Sequence, residues 1–182
     1  MPLFLTELVP HDATRSGVTA SLDALAAALA DAGEIIESQV TSGAERVFVI
    51  VESADDRALA TIAANGLVPV AEVTVPAPVR LVGTDLAVLK AARPGASHLV
   101  EWDLPAGLDM DTYLARKAAK TPLYDQVPEV AFLRTYVRED MVKCLCFYDA
   151  PDVEAVVRAR EVVSAPVNRL HTLAAVRAAV NP

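Results

Sequence analysis

Apolar and polar positions along this chain alternate with two different periods, and the periods trade places in a regular order. PLFLTEL at the start alternates as a half-buried strand does. SLDALAAALADAG then repeats Leu and Ala at helical spacing as far as Gly33. IIESQV and RVFVIVE read as a hairpin about TSGAE. SADDRALATIAANG reads as a helix with Ser53 as N-cap and Gly66 as its stop, and PVAEVTV as a closing strand. From His98 the order returns in HLVEWDL, LDMDTYLARKAA, EVAFLRTYV, VKCLCFYD, APDVEAVVRAREVV and NRLHTL. Pro151 falls at the first turn of its predicted helix, and Asp109 and Asp111 stand where a helix dipole favours negative charge.

The two halves also match residue against residue. RVFVIVESADDRALATIAA set beside VKCLCFYDAPDVEAVVRAR brings Ala54 to Ala150 and Asp56 to Asp152. LTELVP and VEWDLP end on Pro10 and Pro105, PVAEV answers PVNRL, and helix-like tails follow in TDLAVLKAARP and HTLAAVRAAVNP. Residues 67–83 admit two registers. The expected organisation is a degenerate first copy at 1–91, a linker, ARPGAS, at 92–97, and a second copy at 98–182. A βαββαβ order is the split-βαβ, ferredoxin-like unit, an antiparallel sheet with both helices on one face. Two such sheets can cover each other's open faces. The predicted fold class is therefore α+β, with tandem ferredoxin-like repeats forming a pseudo-dimeric α+β barrel or sandwich and a ligand cavity between the sheets.

Strand parity sorts the candidate chemistry. A three-residue turn at Glu139, Asp140 and Met141 pairs Tyr136 with Cys144 and Arg134 with Cys146, and keeps Leu133, Leu145 and Phe147 on the helix-covered side. Glu101 then falls beside Cys146 and either Arg169 or His171, and as a buried carboxylate it reads either as one half of an ion pair with Arg134 or Arg169 or as a general base. The open face of the second copy is expected to carry Glu101, Arg134, Tyr136, Cys144, Cys146, Tyr148 and His171. Their counterparts in the first copy include Thr6, Ser38, Val40, Phe48, Ile50 and Glu52, which look like packing. The second copy is thus expected to hold the site.

Composition narrows the partners. The chain has 182 residues, 53% of them hydrophobic and 22% charged, enough for a full core. Its net charge of −8 repels phosphate backbones, and no basic stripe with interleaved aromatics offsets it, so nucleic acid is not expected. No apolar run approaches the roughly 18 residues of a membrane span. MPLFLTELVP lacks a basic n-region and carries Glu7, so the expected compartment is the cytoplasm, without a membrane partner. Cys144 and Cys146, two apart on one strand, are expected to be free thiols. Three scattered histidines exclude a His-rich metal site, with His11 in a loop and His98 expected to be exposed at the linker. Residues 119–130, AKTPLYDQVPEV, form a long connection from which Tyr124 and Asp125 can cap a pocket mouth.

LVEWDLP, LRTYV, CFYDAPD with Glu154, and PVNRL carry a family resemblance. Through them residues 97–173 resemble the domain of unknown function 4242 family, small ferredoxin-like proteins that include nickel-responsive members. The resemblance implies a ferredoxin-like fold, assembly with a second copy, and divalent-metal binding. Ala159 and Arg160 stand where that family often has a histidine. Two functions follow as expectations. In the first the cavity binds a small molecule or a divalent metal such as nickel, with Arg134, Cys144, Cys146 and His171 as ligand contacts. Cys146, Glu101 and His171 are then the metal set. In the second, a cofactor-independent isomerase, cyclase or oxygenase uses Glu101 as a base of raised pKa, with Tyr136, Tyr148 or Arg134 stabilising negative charge. On either, Glu101→Gln is expected to remove function with little loss of folding.

Overall fold

The computed structural model describes residues 1–54, 56–92 and 95–174. It divides into two compact units, Met1–Val79 with Ala174 as its described C-terminal residue, and Arg80–Leu173. Residues 175–182 of the helix-like tail expected from His171, and two residues of the expected linker, 93 and 94, lie outside the described residues, while His171 and Thr172 end a strand.

In the first unit β1 (Leu3–Pro10) pairs antiparallel with β3 (Val47–Ser53), which pairs with β2 (Gly33–Val40). The other edge of β1 is shared by β4 (Val70–Val73) and the start of β5 (Ala77–Val82). Helices α1 (Arg15–Leu29) and α2 (Arg57–Ala64) make the two crossovers. Their Leu22, Leu25, Leu29, Leu59 and Ile62 pack on Phe4, Leu8, Val47, Val49 and Val51 of the sheet. Helix α1 starts six residues ahead of Ser21 because the Thr14 hydroxyl accepts from Gly17 N at 3.2 Å. Gly17 is required there, since a Cβ would lie 2.1 Å from the Asp12 carbonyl oxygen. Ser53 does not cap α2 as expected. It ends β3, and its hydroxyl donates to Ala32 O at 2.8 Å, so it is unavailable to the helix. Gly66, at φ 61°, supplies the left-handed residue that stops α2.

In the second unit α3 (Leu86–Ala92) precedes β6 (His98–Asp103). Strand β6 lies between β8 (Lys143–Asp149) and β9 (Arg169–Thr172), and β7 (Ala131–Arg138) pairs on the far side of β8. The order β9-β6-β8-β7 is the 4-1-3-2 order expected of the unit, with α4 (Met110–Lys120) and α5 (Val153–Val162) as crossovers. Asp109 caps α4 through Thr112 N at 2.7 Å, and Asp152 caps α5 through Ala155 N at 2.8 Å. Pro151 therefore precedes the N-cap of α5 and lies outside its first turn. No helix among the described residues is long and apolar enough to cross a membrane.

The β7–β8 register differs from the expected one by a single residue. Val137 pairs with Cys144, Tyr136 with Leu145 and Thr135 with Cys146. Four residues, 139–142, join the strands. Val142 N donates to Asp140 Oδ1 at 3.2 Å, and Met141 adopts a left-handed φ of 58°. A bulge between Phe132 and Arg134 resets the far end of β7. A one-residue slip exchanges the faces of every side chain on the strand. Cys144, Cys146 and Tyr148 consequently face α4 and α5, packing on Tyr113, Ala155, Val156 and Ala159, while Leu145 and Phe147 face away. Both sets are at most 1% exposed, so hydrophobicity could not tell the faces apart. The same parity holds in the first unit, where the helix-facing residues of β3 are Val47, Val49 and Val51. These valines, rather than Phe48, Ile50 and Glu52, share the face that the cysteines occupy.

Ala44, in the β2–β3 hairpin, holds φ 57° without being glycine. Ala44→Gly removes a left-handed strain of about 1–2 kcal/mol and adds about 0.5–1 kcal/mol of unfolded-state freedom. A net gain of about 0.5 kcal/mol, a rise of a few degrees or less in thermal midpoint, is expected in a melting experiment.

Candidate functional site

The residues singled out from sequence separate into two clusters, one on each face of the second unit's sheet. Glu101, Arg134, Tyr136 and His171 lie on the face away from the helices. Cys144, Cys146 and Tyr148 lie on the face beneath them. The expected juxtaposition of Glu101 with Cys146 does not occur, because Glu101 pairs across with Leu145 while Cys146 pairs with Val100.

Glu101 is 2% exposed and fully engaged. Lys143 Nζ donates to its Oε2 at 2.7 Å, and Arg169 Nε and His171 Nε2 lie 3.0 and 2.9 Å from its Oε1. Arg169 also grips Asp103, with Nη1 donating to Oδ2 at 2.9 Å. Burial pushes the Glu101 carboxyl pKa up, but hydrogen bonds from His171, Lys143 and Arg169 outweigh it and hold the group well below the usual carboxylate range. The raised pKa expected of a base is therefore not found, and Glu101 is a fixed anion. Tyr136 packs edge-on against Phe147, ring centroids 5.9 Å apart, and the Arg134 guanidinium lies 4.9 Å from the same ring. His98, expected at the surface, is buried on β6, and Ser97 Oγ lies 2.8 Å from its Nδ1.

The second cluster gathers around Cys146 Sγ. Thr135 Oγ1 donates to it at 3.4 Å and Arg160 Nη1 at 3.5 Å, while Cys144 Sγ lies 3.8 Å away. Both cysteines are free thiols, as expected. Tyr113 OH donates to Cys144 Sγ at 3.7 Å. Arg160 Nη1 also donates to Tyr148 OH at 3.3 Å, and that hydroxyl lies 2.9 Å from Tyr124 OH. Arg160 Nη2 donates to the Pro166 carbonyl. Lys117 Nζ donates to Thr135 Oγ1 at 3.0 Å and sits 3.9 Å from the centre of the Phe132 ring. The hydrogen bond from Cys144 lowers the Cys146 pKa well below the usual thiol range. Burial opposes it, and the Arg160 and Lys117 charges and the Thr135 hydroxyl reinforce it. The same bond and burial push Cys144 up. Burial also lowers Lys117 and raises Tyr113, Tyr124 and Tyr148.

A cavity of about 150 Å³ opens between α4, α5 and the sheet, with Cys146, Trp102, Tyr113 and Tyr124 in its wall. Four of its lining residues are basic, namely Arg116, Lys117, Lys120 and Arg160, and none is acidic. Tyr124 lines this cavity, which lies beneath the helices and is not the one expected between the sheets, and Asp125 does not line it. Arg160 is 3% exposed, and its Nε has no acceptor among the described residues. A buried unsatisfied donor costs about 1–3 kcal/mol, so an apolar side chain would pack there more cheaply. Tyr113, Lys117 and Arg160 escaped sequence analysis as functional residues. Arg160 left a signal, being the one charge on the apolar face of α5 that carries Ala155, Val156 and Ala159.

The expected metal set does not converge. Glu101 and His171 adjoin, but Cys146 lies on the opposite face beside two cations, and Glu101 has both oxygens occupied. Among the described residues no group of three His, Cys, Asp or Glu side chains is placed to hold a metal ion.

Residues 98–173 match the family model "Nickel responsive protein SCO4226-like". No curated protein sequence matches the chain. Among solved structures, "Putative Chlorite dismutase TA0507" is 14% identical, with a TM-score of 0.54 over 96% of this chain and 95% of that one. A second, "Putative monooxygenase (FN1347)" from Fusobacterium nucleatum subsp. nucleatum, is 10% identical, with a TM-score of 0.48 over 94% and 90%. The first likeness is one of fold. It places the chain in the α+β class of tandem ferredoxin-like repeats to which dimeric α+β barrels belong.

Removing the buried anion takes its charge from Lys143, Arg169 and His171, of which Arg169 keeps Asp103. Glu101→Gln is expected to cost about 2 kcal/mol, below the roughly 3–5 kcal/mol of a fully buried pair because Arg169 is 44% exposed. The sign with pH follows from a folded pKa depressed below an unfolded value of about 4.3. The stabilisation is complete above about pH 5 and is lost as pH falls toward the depressed folded value. Chemical denaturation from pH 7 to pH 2 should show the wild-type advantage over Glu101→Gln shrinking only on the acid side.

Proposed function

We propose that this chain is a small-ligand-binding protein whose ligand is a small organic anion taken into the cavity beneath α4 and α5. The observation that carries this reading is the lining of that cavity. A chain of net charge −8 gathers four basic side chains around one hollow and leaves every carboxylate out of its wall. Aromatic rings supply apolar walls, as in small-molecule sites generally, and about 150 Å³ suits a ligand near the size of a benzene ring. Arg160 and Lys117 are the contacts for the anionic group, and Tyr124 and Trp102 flank its body.

A cofactor-independent enzyme is the second reading, favoured by one observation, the Cys146 sulfur held among donors in the cavity wall. Divalent metal has weaker support. The description of the family similar to residues 98–173 makes Ni(II) the ion to test, but the cations beside Cys146 oppose it. Two free thiols suit a reducing compartment, which we read as the cytoplasm, and a second copy of the chain is the partner to look for.

Calorimetry and thermal shift with benzoate, benzamide and Ni(II) separate these readings. Benzoate is expected to bind and raise the melting temperature while benzamide does neither. Lys117→Met should weaken benzoate about tenfold, or about 1.4 kcal/mol, without unfolding the protein. Equal binding of the neutral amide, or stoichiometric Ni(II) in place of the anion, overturns the anion reading.

A further inference from the structure

Cys146 Sγ lies where donors converge: the Thr135 hydroxyl, the Arg160 guanidinium and the neighbouring Cys144 thiol, itself held by Tyr113 OH. Lys117 adds a second cation one hydrogen bond away, through Thr135. A neutral thiol is a weak acceptor and gains little from three donors, whereas a thiolate uses them all. Cys144 faces the opposite environment, and its raised pKa keeps it the proton donor of the pair. Only Cys146 of the two lines the cavity, so an electrophile there meets one sulfur. Arg160, buried with its Nε unpartnered among the described residues, keeps a permanent charge beside that sulfur and in that cavity wall.

We propose that Cys146 is a thiolate nucleophile that forms a covalent bond with a small carboxylate bearing an electrophilic carbon, drawn into the cavity by Lys117 and Arg160. The proposal rests on the anion-binding reading of the same cavity. In the step, the sulfur lone pair forms the S–C bond. With an α-halo acid, the carbon–halogen pair departs as halide. With a conjugated unsaturated acid, the π pair moves to the α-carbon, which takes a proton from water. Neither route needs an oxidant or a cofactor.

Iodoacetate and iodoacetamide are of similar size and differ in charge, and an unhindered thiol in water reacts faster with the neutral amide. The full chain is treated with each, glutathione serves as the reference thiol, and the modified residue is located by peptide mass mapping. Iodoacetate is expected to modify Cys146 at least tenfold faster, relative to iodoacetamide, than it modifies glutathione. Lys117→Met should reduce that preference several-fold, and Cys144→Ser should leave alkylation at residue 146. Arg160→Lys, which keeps a cation, provides a second variant should Lys117→Met fold poorly. Modification at Cys144 instead, or a glutathione-like preference for the amide, overturns the proposal. If benzoate binds yet neither reagent modifies Cys146, the covalent step fails while the binding reading stands. If Cys146 is alkylated with iodoacetate preferred but benzoate does not bind, the nucleophile stands and the reversible-ligand reading fails.

Discussion

A single residue of register between β7 and β8 decides what chemistry the second unit contains. With Val137 opposite Cys144, the sulfurs and Tyr148 turn toward α4 and α5, and Glu101 turns away with Leu145. The left-handed Met141 and the Asp140 side chain that accepts from Val142 N build the four-residue loop that sets this phase. Every distance in the two clusters depends on it, because alternate strand side chains cannot share a face.

Electrostatics separates along the same boundary. On one face a buried carboxylate holds Lys143, Arg169 and His171, leaving no lone pair free for proton transfer. On the other, Arg160 and Lys117 have no carboxylate partner among the described residues, and Arg160 donates instead to the Tyr148 hydroxyl and the Cys146 sulfur. The first arrangement balances charge internally. The second lines a cavity with basic side chains inside an acidic protein.

Comparing the two units isolates what is special to the second. Each carries a buried glutamate on its first strand, held by a cation placed two residues before the glutamate's cross-strand partner. These are Glu7 with Arg46, whose partner is Phe48, and Glu101 with Lys143, whose partner is Leu145. That shared diagonal pair goes with the common βαββαβ frame. The helix-facing rows differ. Val47, Val49 and Val51 fill one with plain packing, while Cys144, Cys146 and Tyr148 fill the other with polarisable and ionisable atoms. A frame common to both units carries thiols and a phenol on the helix-facing row of its third strand in the second unit and valines in the first.

The βαββαβ order, the acidic start of α4 at Asp109 and the stop at Gly66 are legible in the residues, whereas the Asp152 cap was passed over for Pro151. Helical and strand periods, turn chemistry and caps are local properties, written into neighbouring positions. Which face of β8 meets the helices was not legible. Cys144, Cys146 and Tyr148 are as able to be buried as Leu145 and Phe147, so hydrophobic patterning carried no preference between them. The meeting of Tyr113 and Lys117 on α4 with Arg160 on α5 around the cysteines of β8 was hidden for a related reason, since those three elements converge only after packing. Arg160, a charge inside an apolar helical stripe, was the trace of that site along the chain. Only tertiary structure turned it into a cation beside a sulfur, because the loop phase and the bulge, rather than composition, decide which side chains share a face.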